Sequence, residues 1–359
     1  MIIKSNLVSN LRCGDTVIFF PSYGHLTKDG RAWKVYVTGA VIEPEHVGIY
    51  NRMLLKLLHR VLKATPEELD GEIFRQRVQP FTASTRRGKR IAIRVGDRVY
   101  ALQKKSKRNG HFRGTLRLDV DAVAELEAGG VIDDQCLQFD VVMPGKDGRV
   151  FSGRTHLLDE TGTSIISDID DTIKRTDVTS RRELLANTFL REFESVEGMA
   201  ALYRQWHDQG AQFHYVSSSP WQLYDSLSNL LVEDGFPQGT VNLRVFRLRD
   251  HMIRKVLLIR RQKKMGVIKK LVATFPQRKF VLVGDSGERD PNLYGTIGRR
   301  FADRVTAILI RELPDNPMTK ARCRKVFRNV SPGKWQIFSH STDLPSELPT
   351  NGVGLAALT

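Results

Sequence analysis

The chain has 359 residues, 56 Lys and Arg against 40 Asp and Glu, and a net charge of +16 at pH 7. That length predicts two domains, each with its own core. No apolar run approaches a membrane span, so the chain is expected to be peripheral to a membrane at most.

From the amino terminus, Trp33–Ile42 alternates as a strand. Val47–Lys63 predicts an amphipathic helix, with Tyr50, Met53, Leu54, Leu57 and Leu58 on one side and Arg52, Lys56, Arg60 and Lys63 on the other. Such a helix packs on its own domain or lies in a membrane interface. Arg90–Leu102 gives two short strands around Gly96-Asp97, and Phe112–Leu118 gives another. Cys136–Met143 and Val150–Leu158 flank a hairpin turn at Pro144–Arg149. The first 158 residues therefore read as a β-rich antiparallel domain interrupted by one helix, with a sandwich as its candidate form.

The pattern then changes. Helices are predicted at Glu183–Phe193, Val196–Gln209, Trp221–Glu233, Lys264–Phe275 and Asn292–Phe301. Strands are predicted at Phe213–Val216, Leu243–Phe246, Lys279–Asp285 and Val305–Ile310. This alternation predicts an α/β domain, residues 159–340, with a Rossmann-like parallel sheet. The remaining 341–359 is rich in Pro, Ser and Gly and is expected to be loose.

At the head of that domain, Ser164–Ser167 runs into Asp168-Ile-Asp170-Asp171-Thr172. A strand end delivers carboxylates two apart to one spot. Two crowded carboxyls push each other's proton affinities apart, so one can serve as nucleophile and the other as general acid, with a magnesium ion easing the crowding. Asp-x-Asp-x-Thr also arises by chance as a polar turn. Two further predicted strands end in useful residues, Ser217 and Asp285. In parallel sheets such ends meet at one edge, where ligands bind.

These residues resemble the haloacid-dehalogenase-like phosphatase superfamily. More narrowly, Asp168–Val178, Tyr215–Gln222 and Gly284–Pro291 resemble the actin-patch phosphatidate phosphatase family, related in its catalytic domain to lipins. The likeness covers roughly Thr163 to Glu312. Ser218 stands where the family often has Asn, and Asn292 where Glu is common. Phe20–Gly24 resembles the start of the β-rich region that precedes the family's catalytic domain.

The resemblance implies roles. Asp168 would be the nucleophile and Asp170 the general acid, then base. Asp171 is not expected to be catalytic. Thr172 would orient the aspartates by hydrogen bonds in the loop or serve only the turn. Ser217 would donate to the phosphoryl oxygens, with Ser218 or Ser219 as alternatives. Lys264 would neutralise phosphoryl charge, with Lys263 as competitor. Magnesium would be held by Asp168, Asp285 and the Asp170 backbone carbonyl, with Asp290 nearby.

The implied activity is a magnesium-dependent phosphatidate phosphatase that releases diacylglycerol and phosphate. Another phosphomonoester (sugar phosphate, phosphoprotein or polynucleotide end) and a non-catalytic phospholipid-binding module are the rivals. The short stretch from Thr172 to Ser217 leaves little room for a cap domain there, which favours a bulky substrate at a surface. The positive balance predicts attraction to an anionic lipid surface or nucleic acid. The basic runs Arg86–Arg90, Lys104–Arg108 and Arg260–Lys264 lack interleaved aromatics, so no specific nucleic acid is predicted. Cys13, Cys136 and Cys323 show no disulfide or zinc spacing, and no signal h-region is evident, so a cytoplasmic protein, peripheral at membranes, is expected.

Overall fold

Pro21 shapes the first strands. In the computed structural model, which describes residues 7–43, 65–177, 180–245 and 263–353, strands β1 (Thr16–Phe20) and β2 (Ser22–Leu26) run along β3 (Ala32–Glu43). Phe20 faces Thr38 and Gly24 faces Val35. The broken strand thus spends one residue more than its partner. Proline cannot donate to the ladder, and a bulge accommodates it.

Seven more strands complete this sheet: β4 (Ser84–Thr85), β5 (Ala92–Val95), β6 (Arg98–Ala101), β7 (His111–Asp119), β8 (Ile132–Asp133), β9 (Cys136–Val141) and β10 (Ser152–Leu158). The main order is β1-β3-β2-β10-β9-β5-β6, with β7 and β4 also on β3 and β8 on β9. Val35, Val37, Ile93 and Leu137 are fully buried in its core. At about 1.5–3 kcal/mol per large apolar side chain, such residues dominate its stabilisation.

The sheet corrects one expectation. It is mixed rather than antiparallel, because β10 pairs with β2 in parallel. The ten strands also form one hydrogen-bonded network. Three helices, Pro66–Asp70, Glu72–Thr82 and Val120–Ala128, appear where none was predicted. The predicted Val47–Lys63 helix lies outside the described residues.

The chain divides into two compact units. Among the described residues, one comprises 7–43, 79–159 and 239–241; the other comprises 65–78, 160–238 and the chain from 242 onward. A six-stranded sheet comprises β11 (Thr163–Ser167), β12 (Gln212–Pro220), β13 (Gly239–Arg244), β14 (Lys279–Asp285), β15 (Val305–Arg311) and β16 (Trp335–Phe338). Its order is β13-β12-β11-β14-β15-β16, and the pairs β12-β11, β11-β14, β14-β15 and β15-β16 are parallel. Ile165, Ile166, Val281–Val283 and Ala307–Ile310 are fully buried. Such unbroken apolar runs are what a sheet covered on both faces requires.

The segment after 341, expected to be loose, is anchored up to about 350. Leu344 is buried, Pro345 accepts a hydrogen bond from Trp206 Nε1 at 3.1 Å, and Leu348 N donates to Gln209 at 2.7 Å.

Candidate active site

β11 lies between β12 and β14, so the chain leaving it emerges at the centre of the sheet edge. Asp168 continues the ladder by one bond, its N donating to Val283 O at 2.9 Å. The chain then turns sharply. Thr172, Ile173 and Lys174 N all donate to Ile169 O, and Asp171 N donates to Lys174 O. Asp171 takes φ +54°, a left-handed conformation that Asp tolerates better than most residues. Its carboxylate accepts from Thr176 N at 2.7 Å and Asp177 N at 2.8 Å, so it builds the turn and is spent there.

Asp170 is buried and surrounded by donors. Its Oδ2 accepts from Ser217 Oγ at 2.9 Å and Ser219 Oγ at 2.6 Å; its Oδ1 accepts from Thr176 Oγ1 at 3.0 Å and pairs with Lys174 Nζ at 3.2 Å. Burial raises its pKa, but Lys174 and the three hydroxyls more than reverse this and bring it to about 2. Lys174 is itself buried, bonded to Thr176 and 4.5 Å from the centre of the Phe193 ring.

Lys264 comes from the helix Lys263–Thr274. Its Nζ lies 2.8 Å from Asp168 Oδ2, 3.0 Å from Glu288 Oε2 and 3.1 Å from Asp290 Oδ1. Burial disfavours its charge, but the three carboxyls outweigh burial and hold it as an ammonium. The Lys263 side chain lies outside the described residues.

β14 ends at Asp285, whose Oδ1 caps the next turn by accepting from Gly287 N at 2.6 Å and Glu288 N at 2.8 Å. Gly284 precedes it, and a Cβ there would stand 2.6 Å from Asp290 Oδ2 and 2.7 Å from the Tyr294 ring. Glycine is what lets the following helix, Asp290–Arg300, seat Asp290 against the strand end.

The carboxyls around Lys264 outnumber its single charge. Burial pushes the Asp168 carboxyl well up; Lys264 pulls it back, and Asp290, Glu288 and Asp170 push it further. Burial and the Asp168 charge likewise raise Asp285. Burial lifts Asp290 to about 7 against the pull of Lys264. Oxygens of Asp168, Glu288 and Asp290 lie within 4.8 Å of one another, but Lys264 already sits among them. Asp168 Oδ1 and Asp285 Oδ2 are buried and have no hydrogen-bond partner among the described residues. Two orphaned carboxylate oxygens in an excess of buried negative charge fit a hard divalent cation such as magnesium.

Most predicted residues therefore converge, but several roles change. Asp290 turns both oxygens to Lys264, at 3.1 and 3.2 Å, and so also holds the lysine. Thr172 Oγ1 makes no hydrogen bond among the described residues, so it does not orient the aspartates that way. Ser217 and Ser219 both bind Asp170, whereas Ser218 Oγ donates to Glu288 at 3.3 Å. Sequence reasoning missed Glu288, Lys174 and Thr176 as parts of this network, and named Ser219 only as an alternative to Ser217. Glu288 and Lys174 were visible only as members of the quoted motifs. A cavity of about 530 Å³ adjoins Lys264 and Asp290, lined by Ser218, Met265, Lys269, Arg289, Asn292 and Leu293 among others.

This sheet and its acidic edge coincide with a known catalytic domain. Residues 163–312 match the family model described as phosphatidate phosphatase APP1, catalytic domain. The phosphatidate phosphatase APP1 of Saccharomyces cerevisiae is 36% identical over 154 residues, 42% of this chain and 26% of that protein. An uncharacterized protein of Schizosaccharomyces pombe is 31% identical over 169 residues, 46% of this chain and 27% of that protein. The chain thus aligns with about a quarter of the length of these relatives. Among solved structures, a class C acid phosphatase from Bacillus anthracis aligns at 15% identity over 47% of this chain and 74% of its own, with a TM-score of 0.27, a likeness on which no argument is built.

Proposed function

We infer that this chain is a phosphatidate phosphatase of the haloacid-dehalogenase-like type, magnesium-dependent, working through an aspartyl-phosphate. The observation that carries the reading is the pair of partnerless buried oxygens on Asp168 and Asp285 beside the Lys264 ammonium. The family match to residues 163–312 supports it.

A magnesium ion held by Asp168 and Asp285 would offset phosphoryl charge. An Asp168 carboxylate oxygen attacks phosphorus, and the bond from phosphorus to the alcohol oxygen breaks. Lys264 stabilises the charge on the transferring group. Asp170 gives a proton to the departing alkoxide; water then attacks the aspartyl-phosphate, Asp170 takes its proton, and inorganic phosphate leaves. The second half suits Asp170 as it stands, with a pKa of about 2. The first requires Asp170 to take up a proton as the phosphoryl dianion arrives, because a neighbouring negative charge raises a carboxyl pKa. Ser217 and Ser219 keep that carboxyl aimed.

The test is hydrolysis of phosphatidate in mixed micelles and of p-nitrophenyl phosphate, each with magnesium. The Asp168→Asn variant should lose both activities by at least about a thousandfold. Undiminished turnover in that variant would exclude the aspartyl-phosphate route. Turnover of the soluble ester with none of phosphatidate would move the substrate elsewhere.

A further inference from the structure

Two basic runs on either side of the β5-β6 hairpin, Arg86–Arg90 and Lys104–Arg108, are laced into one ledge of the mixed-sheet unit. Gly88 N donates to Ser106 O at 2.9 Å, and Ser106 N returns a bond to Lys89 O at 2.8 Å. Ser106 Oγ accepts from Lys89 N at 2.9 Å and donates to Arg86 O at 2.6 Å, and Thr85 Oγ1 donates to Arg108 O at 3.0 Å. Ser106 is buried at the centre of this lacing.

The cations divide by direction. Lys89 and Arg86 turn inward onto the buried Asp15 carboxylate, and Arg86 also pairs with Glu43. Arg87, Lys104, Lys105, Lys107 and Arg108 are exposed, and none has an ion-pair partner among the described residues. Arg90 is exposed beside them. Like charges repel, so a fold gathers them on a fixed backbone only where something offsets the cost. Asp15 does so for the two inner cations and leaves the outer ones unbalanced.

We propose that this ledge is a docking site for an anionic phospholipid surface. Three of its outward cations are lysines, compact and strongly hydrated point charges that suit headgroup phosphates without requiring planar, bidentate geometry. No aromatic ring stands between the cations of either run, so the ledge offers no stacking platform for bases. The choice of lipid over nucleic acid rests on the lipid substrate inferred above.

The experiment uses the full chain and the triple variant Lys104→Gln/Lys105→Gln/Lys107→Gln. Sedimentation is measured with phosphatidylcholine vesicles with and without phosphatidylserine, a lipid that is not a phosphomonoester. The full chain should bind only the phosphatidylserine vesicles, and less so at high salt. The variant should bind them on the order of a hundredfold more weakly. Its hydrolysis of p-nitrophenyl phosphate and its melting temperature should be unchanged, so loss of docking and loss of catalysis are read separately. A variant that sediments like the parent would overturn the proposal. So would a parent that ignores phosphatidylserine vesicles, whether or not it binds a single-stranded oligonucleotide.

Discussion

Lys174 decides the charge state of Asp170, and replacing it with methionine tests that directly. The substitution keeps most of the stem and removes an ammonium 3.2 Å from Asp170 Oδ1. At an effective dielectric of about 20, that pair is worth about 5 kcal/mol, equivalent to nearly four pH units. Burial, the largest influence on Asp170 and an upward one, is then opposed only by Ser219, Ser217 and Thr176. The limb on which kcat/KM for p-nitrophenyl phosphate falls with rising pH should therefore move up by about two pH units or more, because the first half-reaction needs Asp170 protonated and kcat/KM reports groups of the free enzyme. In an Asp170→Asn background the same substitution should move nothing further.

Stability should change sign with it. In the parent, the folded pKa of about 2 lies below the unfolded value near 3.8. The contribution, about 2 kcal/mol, is complete above the unfolded value and lost as pH falls through about 2. In the variant the folded pKa lies above the unfolded one, so the contribution is present at low pH and lost as pH rises. Denaturant unfolding across the acid range reads this. A falling limb that stays within about half a pH unit of the parent's would refute the assignment of Asp170's ionisation to Lys174.

Two other expectations follow from the second strand end. Gly284→Ala forces a methyl to within 2.6 Å of Asp290 Oδ2, and should cost about 1–3 kcal/mol by denaturant titration while raising the requirement for Lys264 to re-seat. Magnesium should raise the melting temperature of the parent in a concentration-dependent way, and Asp285→Asn should abolish that rise, as scanning calorimetry would record.

How much of this was legible varies by element. β14 was read to the residue, because an unbroken apolar run between Lys279 and Asp285 admits little else. β16 and the helix Lys320–Val326 were not read: the first is four residues long and the second seven, too short for periodicity to speak. The predicted strand Leu243–Phe246 forms earlier, at Gly239–Arg244. Asp168, Asp285 and Lys264 converge as the motifs implied. The partners of Asp170 were hidden for a physical reason. Lys174 and Thr176 reach back to it only because Asp171 adopts a left-handed turn, and no spacing rule for strands or helices foretells that. Glu288 was hidden likewise, since its approach to Lys264 depends on the turn capped by Asp285.

The placement of β11 at the middle of its sheet carries a consequence for biosynthesis. The strand that leads into Asp168, the nucleophile of the proposed mechanism, is made early, yet its neighbours are Gln212–Pro220 and, much later, Lys279–Asp285. A ribosome releases Asp168 long before either flank exists, so the nascent nucleophile waits without its lysine or its companion acid. Distant pairing of this kind is slow and leaves apolar strand surface open meanwhile. A polypeptide halted short of Asp285 would carry the reactive residue and no means of using it.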